Sequence, residues 1–367
     1  MHRKLFIARR SRLTDRISLI TAFLLLLTSI FACSPRPQTS SKSEFYIFRL
    51  EPPALVELSS NDQPLREIPF SIPAGCTLDD LFPSPRGAHV AIELACSFGQ
   101  SVVWLDTDTG KFKQFVTDTD SHFLAWTPEG EAVYLKVDSI NHPHIVRVRT
   151  DGSRDNIPIT ELTYDLAPMS NGRDFIFSFS RGMGFGSEMY FAQFDGRIVK
   201  QLSADRGNYL SFARWSPDEK RIAFIKIPDS QTPFTLGGLW VMSADGSNAH
   251  KLADADAGHG YAPAWSPDGK QVAFIKRENP NDAAADQFAD SLVSNIYLVN
   301  VQSGNTMPLT KFNATRVESP VWSPDGNQIA FTVVMNDKMK VIIVDPISGE
   351  TRQVLTESAC CPVWIRK

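Results

Sequence analysis

Polar and apolar residues alternate along most of this chain in short runs that recur on one plan. The clearest copy is Trp265-Ser-Pro-Asp-Gly-Lys-Gln-Val-Ala-Phe274. It returns as Trp322-Ser-Pro-Asp-Gly-Asn-Gln-Ile-Ala-Phe331 and, with Glu219 in place of the glycine, as Trp215-Ser-Pro-Asp-Glu-Lys-Arg-Ile-Ala-Phe224. Weaker copies are Trp126-Thr-Pro-Glu-Gly-Glu-Ala-Val-Tyr134, Ser84-Pro-Arg-Gly-Ala-His-Val-Ala-Ile92 and Met169-Ser-Asn-Gly-Arg-Asp-Phe-Ile-Phe177. The glycine register falls at 87, 130, 172, 219, 269 and 326, a period of 42 to 57 residues. Repeats of that period announce a solenoid or a propeller.

Each copy reads as a hairpin. The aromatic closes one strand, Pro sets φ where the turn begins, Asp or Glu caps the turn, and Gly takes positive φ. In the strand that follows, Val272 and Phe274 share one parity, Ala273 and Ile275 the other. Both parities are apolar, so this strand is expected to be buried on both faces. A variable loop, a third strand, an Asp-Gly or Ser-Gly turn and a fourth strand complete each unit. The predicted fold is all-β: a propeller of four-stranded antiparallel blades. Six full blades are evident between about Thr77 and residue 356. The chain ends are complementary. Phe45–Leu50 and Ala54–Leu58 resemble an outer strand pair, and Cys361-Pro-Val-Trp-Ile365 matches the inner strand Ser319-Pro-Val-Trp322. Joined, they make a composite seventh blade and remove an exposed edge. Its fourth strand is sought at Glu67–Ile72. The alternative is six blades with both end segments packed as a cap.

The Trp-Ser-Pro-Asp-Gly-x-x-Ile/Val-Ala-Phe signature resembles the WD40-like propeller repeat of TolB-type proteins and of prolyl oligopeptidase relatives. The resemblance covers nearly all of residues 77–365 and implies a propeller without implying one function. The chain has no stretch matching the α/β domain that precedes the propeller in TolB, nor the hydrolase domain that follows it in the oligopeptidase relatives.

The N-terminus changes the picture of location. Residues 1–16 carry Arg3, Lys4, Arg9, Arg10, Arg12 and Arg16, and residues 17–32 are largely apolar. A basic region before a short apolar one reads as a signal peptide, residues 1–32. Ile30-Phe31-Ala32-Cys33 resembles the bacterial lipobox, which implies cleavage before Cys33 and acyl chains on its sulfur. Two or three chains anchor a protein persistently. Ser34 then resembles an outer-membrane sorting signal. The alternative is an uncleaved signal anchor. Residues 33–44 form the lipidated cysteine and a polar tether, and 45–367 one propeller domain. The expected location is extracytoplasmic, on a bacterial membrane.

The chain has formal net charge −4; without residues 1–32 it carries 31 basic against 40 acidic side chains. No basic stripe remains for phosphates, so nucleic-acid binding is not expected. Cysteines stand at 33, 76, 96, 360 and 361, none at zinc spacing. Cys76 and Cys96 flank the first hairpin turn equally and would face each other across antiparallel strands, a disulfide candidate. A staple from Cys76 to Cys360 or Cys361, or free thiols, stays open. Adjacent cysteines are not expected to bond each other.

No Gly-x-Ser-x-Gly elbow is present, so no catalytic residue is assigned. Arg181-Gly-Met-Gly-Phe-Gly186 lacks the βαβ setting of a nucleotide fingerprint and reads as a loop insertion. His142-Pro-His144 reads as an exposed turn, and no further metal ligands are identified. His259, Asp254, Asp256 and Glu318 are candidates to line the mouth of the central channel. Asp245-Gly246 and Asp268-Gly269 lack calcium-loop spacing and read as tight turns. Trp126, Trp215, Trp265, Trp322 and Trp364, fixed in the repeat, read as inter-blade packing rather than a carbohydrate platform. No cofactor and no metal is expected. The sequence supports a monomeric, membrane-tethered, non-enzymatic binding module with an envelope protein as partner, loops 228–238 and 277–294 making the contact. Deleting 279–292 is expected to leave the fold intact. The rival is a carbohydrate-binding or enzymatic propeller with a site at the channel mouth.

Overall fold

The computed structural model describes residues 43–85, 89–97, 99–114, 120–138, 143–159, 162–256, 262–336 and 338–366. The proposed signal peptide, Cys33, the tether through residue 42, Gly87, His142 and His259 lie outside the described residues. The chain opens with β1 (Ser43–Arg49), β2 (Ala54–Leu58) and β3 (Pro64–Pro69). Blade one is β4 (Cys76–Pro83), β5 (His89–Cys96), β6 (Gly99–Asp106) and β7 (Phe112–Gln114). Blade two is β8 (Asp120–Trp126), β9 (Ala132–Asp138), β10 (His144–Arg149) and β11 (Arg154–Ile157). Blade three is β12 (Thr163–Pro168), β13 (Asp174–Ser180), β14 (Ser187–Gln193) and β15 (Ile198–Asp205). Blade four is β16 (Asn208–Trp215), β17 (Arg221–Pro228), β18 (Leu236–Ser243) and β19 (His250–Asp256). Blade five is β20 (Ala264–Trp265), β21 (Gln271–Arg277), β22 (Ser294–Asn300) and β23 (Thr306–Pro308). Blade six is β24 (Arg316–Trp322), β25 (Ile329–Met335), β26 (Lys338–Val344) and β27 (Thr351–Gln353), followed by β28 (Ala359–Arg366).

Each blade is a four-stranded antiparallel sheet, and the seventh has the order β28-β1-β2-β3. The chain ends therefore close the ring and do not cap it. The fourth strand of this composite blade is Pro64–Pro69. First strands of successive blades meet, β24 with β28 and β28 with β4, which makes them the innermost strands.

The second strand shows why both parities are apolar. Val272 and Phe274 pack on Ala223 and Ile225 of blade four. Ala273 and Ile275 pack on Phe331 and Val333 of blade six. Alternation in a strand sends successive side chains to opposite faces, and here each face meets a neighbouring blade.

The Ser-Pro-Asp-Gly turn is held by its own side chains. Ser266 Oγ donates to Asp268 Oδ1 (2.7 Å) and accepts from the Gln271 N–H (2.9 Å); Asp268 Oδ1 accepts from the Lys270 N–H (3.0 Å). Ser216 with Asp218 and Ser323 with Asp325 repeat the set. Gly269 and Gly326 sit at positive φ, 69° and 76°, and Glu219 takes the same conformation at 55°. The turn carboxylates are bound within the turn, and these bonds hold Asp218 and Asp268 below the ordinary carboxylate range, the serine hydroxyl contributing most.

The repeat tryptophans join blades by hydrogen bonds as well as area. Trp126 Nε1 donates to Phe82 O (2.8 Å), Trp215 to Ala167 O (3.0 Å), Trp265 to Arg214 O (3.0 Å) and Trp322 to Ala264 O (3.0 Å). Trp364 breaks the series: its ring stacks on Phe45 at 4.3 Å, and its buried Nε1 has no partner.

Cys76 lies opposite Cys96 in the β4–β5 register and is bonded to it, with Cα atoms 3.9 Å apart. Cys360 is bonded to Cys361, against the expectation for neighbours, so no staple runs from the C-terminal strand to Cys76.

Candidate functional site

Antiparallel order gives the ring two unlike faces. Connections from first to second and from third to fourth strands fall on one side, the turn face. Connections from second to third strands and between blades fall on the other, the loop face. Candidate chemistry gathers near the ring centre and along the loop face.

Near the centre, Asp80 on β4 stands opposite Glu93 on β5. Glu93 is buried, and its Oε1 lies 3.2 Å from His122 Nδ1 of blade two. Asp120 Oδ1 is 3.7 Å from His122 Nε2. On blade six, Arg316 Nε donates to Glu318 Oε1 at 2.8 Å. Burial pushes the Asp80 carboxyl up to about 7, the nearby charges of Glu93, Asp79 and Glu318 add to this, and the bond from the Leu81 N–H opposes it. The bond to Glu93 raises His122 above its ordinary value, against the effect of burial. The arrangement can carry a proton on Asp80 and a charge on His122 near neutral pH. Among the described residues no three His, Cys, Asp or Glu side chains come together as a metal site.

The cluster has a sign-defined effect on stability. Asp80 binds its proton more tightly folded than unfolded, so its contribution falls as pH rises from about 4 to 7. The His122 contribution is present below the ordinary histidine value and is lost as pH rises through the higher folded value. Asp80→Asn keeps an acceptor for the Leu81 N–H and removes the buried charge. The variant is expected to be more stable than wild type by up to about 4 kcal/mol at pH 8 and unchanged near pH 4. Thermal melts at both pH values check this, and an equal shift at both would contradict it.

Glu318, a loop candidate for the channel mouth, lies within the innermost strand β24. Asp254 and Asp256 are not at the channel mouth: both lie on β19, the outermost strand of blade four. Asp254 pairs with Lys251 at 2.5 Å, and Asp256 is buried 3.8 Å from Arg277. Sequence reasoning missed Asp80, Glu93 and His122. The available signal was one glutamate inside the apolar run Ile92-Glu93-Leu94 and the acids interrupting Leu78-Asp79-Asp80-Leu81.

On the loop face, the 181–186 segment is an ordered turn. The N–H groups of Gly184 and Gly186 both donate to Asp229 Oδ2 of blade four, each at 2.8 Å. Gly186 has φ 61°, and a Cβ there would come within 2.0 Å of Asp205 O, so only glycine fits. The amides of this loop are therefore engaged by a carboxylate of the protein itself. The turn leaves Met183 and Phe185 65 % exposed, and Phe185 lines a cavity of 660 Å³ together with Arg181, Glu188 and Arg206.

The 278–293 loop of blade five is built into the fold. Buried Arg277 donates through Nη1 to Asp286 Oδ1 (2.7 Å) and through Nη2 to Phe234 O (2.5 Å) of the blade-four loop. Ala285 and Leu292 are buried, and Asn279 bridges Ser291 O and the Val293 N–H. Deleting 279–292 would strip Asp286 from a buried guanidinium, so the loop is part of the fold and its removal would destabilise it. Phe288 on this loop is 65 % exposed, and Leu236 and Met335 add apolar surface at the second-to-third-strand connections of blades four and six.

Neither a known protein family nor a curated protein matches the sequence. Solved structures match the fold. A puromycin-hydrolysing peptidase from Mycobacterium tuberculosis is 13 % identical with TM-score 0.59, over 82 % of this chain and 49 % of that chain. An oligogalacturonate lyase from Vibrio parahaemolyticus is 11 % identical with TM-score 0.53, over 85 % of this chain and 84 % of that one. TolB from Acinetobacter baumannii is 18 % identical with TM-score 0.49, over 86 % and 79 %. This chain spans about half the length of the peptidase. At such identities the likeness defines the class alone: this chain is a seven-bladed β-propeller.

Proposed function

We propose that the protein is a non-catalytic binding propeller, anchored through acyl chains on Cys33 outside a bacterial cytoplasmic membrane, whose loop face holds a protein of the cell envelope. The observation that carries this reading is the set of exposed apolar side chains, Met183, Phe185, Leu236, Phe288 and Met335, displayed by loops of blades three to six on one face. Large apolar side chains exposed on one face of a rigid scaffold suit that face to holding a partner. Ser43, where the tether joins the ring, pairs with Arg366 at the turn-face end of β1. No cofactor, metal or nucleic acid enters this reading.

The test has two arms. A palmitate analogue should label the wild type and not Cys33→Ala; equal labelling would remove the anchor. A combined Met183→Asp, Phe185→Asp, Phe288→Asp variant should melt within about 2 °C of wild type, as exposed substitutions do, and lose at least about tenfold in recovery of its envelope partner. Unchanged recovery would remove the loop-face contact. The second reading, a carbohydrate-binding or enzymatic site near the ring centre, draws on the Asp80–Glu93–His122 cluster. Binding that survives the triple variant and disappears in Glu93→Gln would belong to that site.

A further inference from the structure

Cys360-Cys361-Pro-Val-Trp364 aligns on its tryptophan with Glu318-Ser-Pro-Val-Trp322 and Ser211-Phe-Ala-Arg-Trp215. In all three innermost strands the second residue is left-handed: φ is 59° at Cys361, 50° at Ser319 and 58° at Phe212. Successive side chains of a regular strand point to opposite faces and cannot bond. A left-handed residue breaks that alternation, and at β28 it brings two sulfurs together. The same backbone occurs at Ser319 and Phe212 with no cysteine present, so the ring does not need the bond to form it. The Cys361 N–H donates to Thr332 Oγ1 of blade six at 3.0 Å, which holds the bulge through a contact independent of sulfur.

A bridge between adjacent residues closes almost no loop and so removes little entropy from the unfolded chain. Cys76–Cys96 spans 20 residues and gains roughly 3 kcal/mol on that account. The two bridges therefore have different work. We propose that Cys360–Cys361 is a redox-active pair near the ring centre, opened and closed by dithiol exchange without unfolding the propeller. A thiolate of the dithiol attacks Sγ of Cys361, the less buried of the two residues, and the S–S bond breaks with Cys360 leaving as a thiolate that takes up a proton. The second thiol of the reductant then displaces Cys361, which is protonated in turn. The products are two cysteine thiols and the disulfide of the reductant, a balanced two-electron exchange. In the reduced state the two thiols, held side by side by the bulge, suit a thiophilic trivalent centre. An organic arsenoxide would lose its oxygen as water and form two As–S bonds.

The test uses the full chain carrying Cys33→Ser, in detergent, titrated with dithiothreitol. Samples are alkylated while folded and mapped by peptide mass spectrometry. Cys360 and Cys361 should open at a dithiothreitol concentration at least about tenfold below that needed for Cys76 and Cys96, with the melting temperature within about 2 °C of the oxidised protein. Phenylarsine oxide should then bind once per chain, and binding should be lost in Cys361→Ser, which copies Ser319 of blade six, and in Cys360→Ser. The proposal is overturned if the Cys360–Cys361 bridge opens only together with Cys76–Cys96, if its opening alone unfolds the chain, or if the selectively reduced protein binds no arsenical.

Discussion

Truncation after Ser358, which removes β28, is expected to abolish cooperative unfolding of the propeller. β28 pairs with β1 from Arg366 opposite Ser43 to Ala359 opposite Arg49. Without it the row of backbone groups on β1 is an open edge. Val363, Ile365 and Cys360 leave a cluster that also holds Tyr46, Phe48, Leu81 and Ile92, so one cut opens the core between the composite blade and blade one. Ala359 and the ring of Trp364 leave the opposite seam, uncovering Phe45 and Ile47 against blade six. Burial of large apolar side chains contributes roughly 1.5–3 kcal/mol each. Losing several costs at least about 5 kcal/mol, comparable with the whole stability of a typical domain. Calorimetry and circular dichroism of the truncated chain should show a broad, non-cooperative melt. A sharp melt at the wild-type temperature would refute closure through the C-terminal strand.

The second large effect is expected at the repeat tryptophans, and it should differ between seams. Trp322→Ala removes a large ring between blades five and six and is expected to destabilise by about 3–5 kcal/mol. Trp322→Phe keeps most of the area and removes the hydrogen bond to Ala264 O, at a cost of about 1–1.5 kcal/mol. Trp364 donates to nothing, so Trp364→Phe should cost less than about 1 kcal/mol while retaining the stack on Phe45. Urea melts of the two phenylalanine variants measure the difference directly. Equal losses would mean that the hydrogen bond is not what distinguishes the seams. The composite blade thus trades a tryptophan donor for a strand pairing contributed by both chain ends, a closure that other blades do not need.

The architecture was legible in the chain because its causes are local and repeated. Turn chemistry at Ser-Pro-Asp-Gly and the two-sided apolar strand after it specified four-stranded blades, and the complementary ends from Phe45 and to Ile365 pointed to closure through a seventh blade without excluding a cap. Position in the repeat also told that the tryptophans pack between blades. What only the tertiary structure decided was which distant side chains meet. Glu93 and His122 lie on different blades, and no periodicity reveals that one reaches the other. Asp254 and Asp256 seemed to approach the axis because they precede an inner strand, but their own strand is the outer edge of blade four. The 277–294 segment read as a free insertion, since nothing near it in sequence shows that Arg277 is buried and needs Asp286. Cys360 and Cys361 were not expected to bond because bridging neighbours distorts the peptide between them; a left-handed bulge, held where the Cys361 N–H meets Thr332 of blade six, brings their sulfurs together. Hydrophobic period and turn type are properties of a few consecutive residues, whereas bulge phase, strand rank and contact across a seam are settled only when seven blades pack into one ring.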